Sequence, residues 1–167
     1  LKRCGFDPKP HFWNDRSCLL EDYAGYVILG GFSFEDRSRS GIIASLEPVV
    51  NKIKAQALLG KPVLGICNGA QILVESGMIP GNEGFNTVLA LADNKRAVGE
   101  KIVGTGYYNT WCYIKPNLIA KSAFVKKRGG VLRVPIAHAE GRFVVDKNMR
   151  GLVEEKNLIT YQYCDKN

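Results

Sequence analysis

The stretch that decides the fold is residues 63–73, VLGICNGAQIL. Its first four residues are apolar, which is typical of a short strand buried on both faces, and residues 68–75 have the pattern of a helix. Cys67 lies at the junction, with Gly65 two residues before it and Gly69 two residues after it. This is the nucleophile-elbow pattern with cysteine in place of serine. It predicts a reactive thiol at the end of a strand.

The flanking glycines have a steric reason. In so tight a turn, side chains at Gly65 and Gly69 would collide with the backbone of neighbouring elements. Cys67 would then project into a cleft at the amino end of a helix, where free N–H groups and the helix dipole lower the pKa of a thiol. The alternative is a buried structural cysteine, which the paired glycines disfavour.

The residues before this stretch repeat the same alternation. Residues 26–29 form a second short apolar run that ends in Gly30 and Gly31, and apolar residues between 41 and 59 recur at helical spacing. Pro48 should kink that helix or start its main segment, and Gly60 should end it. We expect an α/β fold, with an open, mostly parallel sheet covered by helices on both faces and ligands at the carboxyl ends of its strands.

After residue 77 the pattern changes to short β-rich pieces. Strands are predicted at residues 113–115, 124–127, 131–137, 142–145 and 158–163, and one helix at residues 148–156. Residues 1–5 resemble the last turn of a helix with a glycine stop, and residues 164–167 resemble a turn entered from a strand. The whole of residues 1–167 is therefore expected to be a single domain that is incomplete at both ends.

Composition excludes several classes of protein. The chain has 167 residues and a formal net charge of +7, but its basic residues are scattered. The densest group, residues 126–128, is read as a solvated hairpin tip, so we expect no nucleic-acid partner. The five cysteines show no CxxC spacing, which argues against a disulfide framework or a zinc site. No apolar run approaches the roughly 20 residues that a membrane helix needs. We expect a cytoplasmic protein.

A second segment, residues 30–36 with the sequence GGFSFED, follows the first predicted strand. Acyl chemistry at Cys67 would create an oxyanion that needs backbone donors fixed in advance. The N–H of Asn68 is one natural donor, and Gly30 or Gly31 could supply the other. Taken alone, a Gly-Gly pair after a strand is more often a simple loop. The segment also lacks the glycine spacing of a phosphate-binding loop.

Residues 65–73 resemble the nucleophile motif of class I triad glutamine amidotransferases, which have a flavodoxin-like fold. Residues 30–36, 77–81 (GMIPG) and 135–143 (PIAHAEGRF) narrow the resemblance to the glutaminase subunits of phosphoribosylformylglycinamidine synthases, enzymes of purine biosynthesis. The resemblance covers most of the chain. Two positions depart from it: Leu29 stands where many relatives have proline and Glu35 where many have glycine, so we expect a somewhat different loop orientation.

The resemblance implies a function. Cys67 would attack the γ-amide of glutamine, form a glutamyl thioester and release ammonia to a synthetase subunit, with or without a small third subunit. That partner would use ATP and Mg²⁺ to convert formylglycinamide ribonucleotide to the amidine, whereas this chain would carry no metal or cofactor. Gln71 would face the bound glutamine, and His138 and Glu140 would line its pocket or the ammonia exit.

The remaining question is which residue acts as the general base for the Cys67 thiol. A local interpretation joins Cys67 with His138 and Glu140 as a triad, because His-x-Glu resembles the spacing of the base and its orienting acid in this family. In the family, however, the triad residues resemble a separate Pro-His-Pro-Glu segment, expected beyond Asn167. We therefore predict that His138 is not the base, and that it lines the pocket or is structural. His11 is read as a loop residue.

Three other interpretations remain open. Without a triad base, the domain could be a non-catalytic interaction module of the same fold, or less plausibly a stand-alone cysteine hydrolase of a related branch. Tyr107, Tyr108 and Trp111 could be stacking platforms for a nucleotide, although core or interface aromatics are the simpler expectation.

Overall fold

The computed structural model describes residues 1–15, 17, 19–120, 122–125 and 129–166. The first half alternates strands and helices: β1 (Tyr26–Ile28), α1 (Ile42–Ser45), α2 (Pro48–Leu58), β2 (Val63–Gly65) and α3 (Asn68–Glu75). Strands β1 and β2 pair in parallel, with Ile28 opposite Gly65 at their carboxyl ends. The loops that follow β1 and β2 therefore start side by side.

The helical pattern between the two strands forms two helices because of Pro48. Glu47 is extended, with φ −64° and ψ 141°, and Pro48 occupies the first turn of α2. A residue before proline avoids the helical region, so the chain leaves α1 at this point and starts again. Gly60, at φ +89°, follows the end of α2. The prediction that Pro48 starts the main helical segment is confirmed.

The core lies between these helices and the parallel pair. One buried cluster contains Leu20, Tyr26 and Ile53, and a second contains Ala44, Val50 and Ile72. Three partly buried side chains pack against both clusters and join them: Ile28, Val49 and Met78. Val74 on α3 has no exposed surface. Burial of α3 against β1 and α1 fixes the direction in which the helix leaves the strand end.

The second half is built from antiparallel strands and one helix. In chain order these elements are β3 (Ala90–Asp93), β4 (Lys95–Val98), β5 (Lys101–Thr105), β6 (Tyr108–Pro116), β7 (Leu132–His138), β8 (Glu140–Val144), α4 (Lys147–Glu155) and β9 (Tyr161–Cys164). Strand β3 pairs with β8, β4 with β5, and β6 lies between β7 and β9. The Asp146 carboxylate caps α4 by accepting from the Met149 N–H at 2.8 Å.

Most predicted elements are found, with shifted ends. The two parallel strands are one residue shorter than predicted, α3 has the predicted bounds, and α4 begins and ends one residue earlier than expected. Residues 1–5 form a short 3-10 turn, Lys2–Cys4, closed by Gly5 at φ +83°. The strand predicted at residues 124–127 is wrong for Phe124 and Val125, which are not in a strand, and the rest of it lies outside the described residues.

Strands β3, β4 and β5 were not predicted individually. The four residues of β4 are all exposed, as are four of the five in β5, so burial imposes no apolar alternation there. The fold is α/β, as expected, and in the described part of the chain β1–β2 is the parallel pair while the other pairs are antiparallel. Across the same residues, no helix is long and apolar enough to span a bilayer.

Candidate active site

Cys67 occupies the bend between β2 and α3. Its backbone has φ 53° and ψ −115°, values that residues with a β-carbon rarely adopt. The residue is the N-cap of α3 and its thiol-bearing side chain is exposed. Its carbonyl accepts from the N–H groups of Ala70 and Gln71, so the helix itself holds the strained residue. The sharp turn and exposed side chain are those of a nucleophile elbow.

The two glycines beside Cys67 are required by close backbone contacts. A β-carbon on Gly65 would lie 2.7 Å from the Gly69 carbonyl oxygen and 2.7 Å from the Ala70 nitrogen. A β-carbon on Gly69 would lie 2.1 Å from the carbonyl oxygen of Ile28, on the neighbouring strand. Backbone atoms cannot move aside as a flexible side chain can. The steric role predicted for both glycines agrees with these distances.

The loop after β1 lies directly against Cys67. A β-carbon on Gly30 would stand 3.0 Å from the β-carbon of Cys67 and 3.7 Å from its sulfur. Gly31 follows with φ +153°. The Ile66 N–H donates to the Ile28 carbonyl at 3.0 Å, which continues the strand pairing up to the elbow. The structure therefore brings Gly30 beside Cys67, as the oxyanion interpretation requires; whether these glycines and Asn68 donate to substrate stays a prediction.

The same loop then runs through a left-handed turn. Phe34, Glu35 and Asp36 have φ values of 55°, 58° and 50°, and Ser38 has φ 69°. Residues other than glycine rarely adopt this region. The Trp13 ring packs edge-on to Phe34 with the ring centroids 5.8 Å apart. Three consecutive residues other than glycine keep left-handed backbone angles only where contacts with the rest of the protein hold them.

Asn68, the first residue of α3, is the main anchor. Its side-chain oxygen accepts from the Ser33 backbone N–H at 3.2 Å and from the Ser33 hydroxyl at 2.6 Å. Its side-chain nitrogen donates to Asp36 at 3.2 Å and to Gln71 at 2.9 Å. Asn68 is 2% exposed. The side chain of Asn68 thus ties the loop after β1 to α3.

Gln71 is buried one turn further along α3. Its side-chain oxygen accepts from Asn68, and its nitrogen donates to the carbonyl oxygen of Glu140 at 2.9 Å. The predicted contact between Gln71 and substrate is untested. In this structure the Gln71 amide links α3 to the start of β8.

Glu140 lies close to this network. Its carboxylate accepts from the Ser40 N–H at 3.2 Å. The pKa of the Asp36 carboxyl is raised above 3.8, first because the group is shielded from water and second because it faces the Glu140 carboxylate; the hydrogen bond from Asn68 opposes both effects. The Asp36 and Glu140 carboxyl groups therefore interact with each other, and Asp36 also accepts from the Asn68 side-chain amide.

His138 ends β7, with its ring over Gly141 and its Nδ1 beside the Asn94 side chain. The Asn94 side-chain nitrogen lies 3.1 Å from the His138 Nδ1 and donates to the His138 carbonyl oxygen at 2.6 Å. Burial lowers the pKa of the imidazole below 6.5. The partner of the ring is thus an amide, whereas the Glu140 carboxylate accepts from Ser40. His11, the other histidine, contacts the Tyr23 hydroxyl at 2.8 Å.

Asn94, Ser33 and Asp36 are residues that the sequence analysis did not single out as site residues. Asn94 also accepts from the Gly141 N–H at 3.0 Å and donates to the Gly106 carbonyl at 3.2 Å. It lies between two strands that were not predicted, so no motif marked it. Ser33 and Asp36 belong to the quoted GGFSFED segment, which was the available signal.

Other expectations concern cysteines and basic residues. Cys4 and Cys67 are exposed free thiols, and Cys112 and Cys164 are half-buried free thiols. Shielding from water, with a smaller contribution from Cys164, raises the pKa of the Cys112 thiol. Cys18 and the basic group at residues 126–128 lie outside the described residues. Within the described part of the chain, no three His, Cys, Asp or Glu side chains converge as a metal site.

Trp111 on β6 and Tyr107, which precedes that strand, do not lie in the core. Trp111 and Tyr107 are more than half exposed, and the Arg133 guanidinium lies 4.4 Å from the centre of the Trp111 ring. Tyr107 and Tyr108 line a cavity of about 340 Å³ between β4, β5 and β6. The predicted site residues around Cys67 are not among those that line it. A core role for Trp111 and Tyr107 is therefore wrong.

Comparison with known proteins shows the family of the chain. Residues 1–167 match the CobB/CobQ-like glutamine amidotransferase domain. A protein of Methanothrix thermoacetophila named phosphoribosylformylglycinamidine synthase subunit PurQ is 42% identical over 98% of this chain and 63% of its own length. A protein of the same name from Methanocaldococcus jannaschii is 37% identical over 99% of this chain and 65% of its own length.

A solved structure is also similar. A chain of the structure titled "Structure of PurLQS from Thermotoga maritima" matches with a TM-score of 0.58 and 29% identity, over 88% of this chain and 58% of that chain. The present chain spans somewhat less than two thirds of the length of each of these relatives.

Proposed function

Because the chain belongs to the CobB/CobQ-like glutamine amidotransferase domain family, we propose that it is the nucleophile-bearing part of a glutaminase subunit. The observation that carries the proposal is Cys67, exposed at a strained bend with Gly30 against it. Two relatives that match nearly the whole chain are named as subunits of phosphoribosylformylglycinamidine synthase. The proposed reaction is hydrolysis of glutamine to glutamate and ammonia.

The chemistry follows from the position of the sulfur. The Cys67 thiolate attacks the γ-carboxamide carbon, and the carbonyl electrons move onto the oxygen. Collapse of this intermediate breaks the C–N bond, the nitrogen leaves with an added proton as ammonia, and a glutamyl thioester remains. Water then hydrolyses the thioester to glutamate and frees the thiol. No net oxidation or reduction occurs.

Backbone donors stabilise the oxyanion in this proposal. The Asn68 N–H at the start of α3 and an N–H of Gly30 or Gly31 are the proposed donors. Gly30 is suitable because its backbone approaches the Cys67 side chain closely. Loss of one such donor in an acyl-transfer enzyme costs about 10²–10³-fold in kcat. We also propose that the surface formed by Gln71, His138 and Glu140 contributes to the pocket for glutamine.

We assign the general base to a histidine other than His138. In the class I amidotransferases that the sequence resembles, a glutamate orients the ring of the triad histidine. His138 instead has Asn94 at its Nδ1, and the Glu140 carboxylate accepts from the Ser40 N–H. The same observation supports a second candidate function, a non-catalytic interaction module that retains the fold. The labelling experiment described below separates the two.

The proposed assembly is a glutaminase docked on a synthetase. The synthetase would use ATP and Mg²⁺ to convert formylglycinamide ribonucleotide to formylglycinamidine ribonucleotide, and a small third subunit could join the complex. The structural relative is titled as a PurLQS complex, which supports such an assembly. In this proposal the chain itself carries no metal or cofactor and acts in the cytoplasm, as a single amidotransferase domain.

We also propose that β1 and β2 belong to an open, mostly parallel sheet with helices on both faces, as in flavodoxin-like folds. The parallel pairing of β1 and β2 and the intervening helices α1 and α2 support this architecture. The two loops that carry the proposed chemistry lie at the carboxyl edge of that pair, where open α/β sheets bind ligands.

The proposed function is tested by covalent labelling with 6-diazo-5-oxo-norleucine, an electrophilic analogue of glutamine. The complete protein is incubated with the analogue and the adduct is located by peptide mass spectrometry. We expect modification of Cys67, protection by glutamine, and loss of labelling and glutaminase activity in Cys67→Ser. Cys4→Ser is the matched control, because Cys4 is also an exposed free thiol. An unlabelled Cys67 in the presence of the synthetase would favour the non-catalytic module.

A further inference from the structure

We propose that Ser33 and Asp36 are positioning residues that hold the Gly30–Gly31 loop against Cys67 through the side chain of Asn68. The inference deepens the proposed glutaminase function and rests on it for its catalytic consequence. Neither residue needs to touch substrate. Their role is to fix the backbone that carries the proposed oxyanion donors.

The direction of the hydrogen bonds defines the network without ambiguity. The Glu140 carbonyl can only accept, so the Gln71 nitrogen faces it and the Gln71 oxygen faces Asn68. The Asn68 nitrogen must then face Gln71, which leaves the Asn68 oxygen toward Ser33. At that end the Ser33 backbone N–H can only donate, which requires the same orientation. The Glu140 carbonyl at one end and the Ser33 N–H at the other thus require the same orientation of the Gln71 and Asn68 amides.

Asn68 has no side-chain hydrogen-bonding capacity to spare. A primary amide offers two N–H groups and two oxygen lone pairs. Ser33 supplies two donors, and Asp36 and Gln71 each accept one N–H. With Asn68 only 2% exposed, its side chain serves the loop and α3, and its backbone N–H remains the group suited to the oxyanion.

The loop requires this support because of its conformation. Phe34, Glu35 and Asp36 are left-handed, which is unfavourable for residues with a β-carbon. Ser33 and Asp36 bracket that turn, and both are bonded to Asn68. When one anchor is removed, the turn is expected to relax toward ordinary dihedral angles. Gly30 and Gly31, directly before it, then lose their fixed position beside Cys67.

The test compares Ser33→Ala with Ser33→Thr, which keeps a hydroxyl group. Ser17→Ala is the matched control, because the Ser17 hydroxyl also makes a 2.6 Å bond, to Asp15 in an exposed loop. Glutamine hydrolysis is measured in the complete protein docked on its synthetase. Two further measurements are the rate at which iodoacetamide alkylates Cys67, followed by peptide mass, and hydrogen exchange of the amides at residues 30–36.

We expect Ser33→Ala to lower kcat about 10-fold with KM within about twofold, since a displaced oxyanion donor acts in the transition state. Alkylation of Cys67 forms no oxyanion, so its rate should stay within about twofold. Amide exchange at residues 30–36 should rise about 10-fold. Ser33→Thr should recover most of the loss, and Ser17→Ala should match the parent protein. Asp36→Ala should reproduce the effects of Ser33→Ala.

The inference is overturned by an unchanged exchange rate at residues 30–36, or by equal falls in hydrolysis and alkylation, which would indicate general unfolding of the elbow. Unchanged kcat with faster exchange would also overturn it. If the parent protein hydrolyses no glutamine with its synthetase, the proposed function fails. Hydrogen exchange still decides, in that case, whether Ser33 holds the loop.

Discussion

A β-carbon added to Gly69 would lie 2.1 Å from the carbonyl oxygen of Ile28. The first turn of α3 therefore packs on the end of β1 without space for a side chain. This contact fixes the distance between the helix that follows Cys67 and the strand that leads to Gly30.

We expect Gly69→Ala to destabilise the protein by about 3 kcal/mol or more, because neither backbone segment can move without loss of strand pairing or core packing. Urea unfolding measures the change. Gly151→Ala in α4 is the matched control: it has open space at its β-carbon position, and alanine should stabilise the helix by up to about 1 kcal/mol. Equal effects of the two substitutions would contradict the steric argument.

Asn94 is expected to support the second half of the domain. Asn94→Ala removes the bonds to His138, Gly106 and Gly141. Leaving their backbone groups unpaired should cost about 1–3 kcal/mol in the free energy of unfolding. Asn86→Ala, which removes one exposed 3.2 Å bond to Glu83, is the control and should change stability by less than about 0.5 kcal/mol. A cost no larger than that of Asn86→Ala would show that Asn94 is dispensable.

The stability contribution of His138 should depend on pH in a stated direction. Burial holds its folded-state pKa below the ordinary 6.5, so the unfolded chain takes up the proton first as the pH falls. The unfolded state then binds more protons, and stability is lost as the pH drops through about 6.5. We expect the free energy of unfolding of the parent protein to fall more than that of His138→Gln between about pH 7.5 and pH 5.5. Parallel curves would refute this assignment.

Glu35→Gly should stabilise the loop. Glu35 has φ 58°, a conformation that glycine adopts without steric cost. The Arg37 ion pair that would be lost is exposed and contributes little. We expect a gain of about 0.5–1 kcal/mol in thermal or urea unfolding, after the greater entropy of glycine in the unfolded chain is included. Lys9→Gly, in the exposed loop near the amino end, should give no such gain.

The sequence was sufficient to predict the elements whose residue types are determined by burial or by backbone chemistry. Residues 26–28 and 63–65 are mostly apolar because they pair beside the core, where Tyr26 is buried and the other five are half-buried, and Pro48 and Gly60 bound α2 by their backbone chemistry. The exposed β4–β5 hairpin follows no such constraint, since its strands contact solvent on both faces. Strand ends also shifted, by as much as five residues for β6, which begins at Tyr108 and not at residue 113, because hydrogen bonding rather than hydropathy sets them.

The candidate site also contains residues that could be predicted from the sequence and residues that could not. Cys67 and its glycines could be predicted, because a local steric rule governs three nearby positions. The anchoring of Ser33 by Asn68 joins residues 35 positions apart, and no short-range pattern contains that distance. The left-handed turn at Phe34–Asp36 contains no glycine that would mark a positive φ, and the signal for it was the glycine that many resembled proteins have in place of Glu35.

The pairing of Ile28 with Gly65 has a consequence for changes of chain length. Cys67 and the Gly30–Gly31 loop follow adjacent strand ends, so their separation is set by the hydrogen-bonded pairing of the two strands. One residue inserted into either strand would displace its loop by about 3.3 Å and reverse the facing of every side chain beyond the insertion. An insertion at Gly99, at the tip of the exposed β4–β5 hairpin, would displace neither of these loops. Natural or engineered insertions and deletions should therefore be tolerated at that tip and should disrupt the site when they fall in β1 or β2.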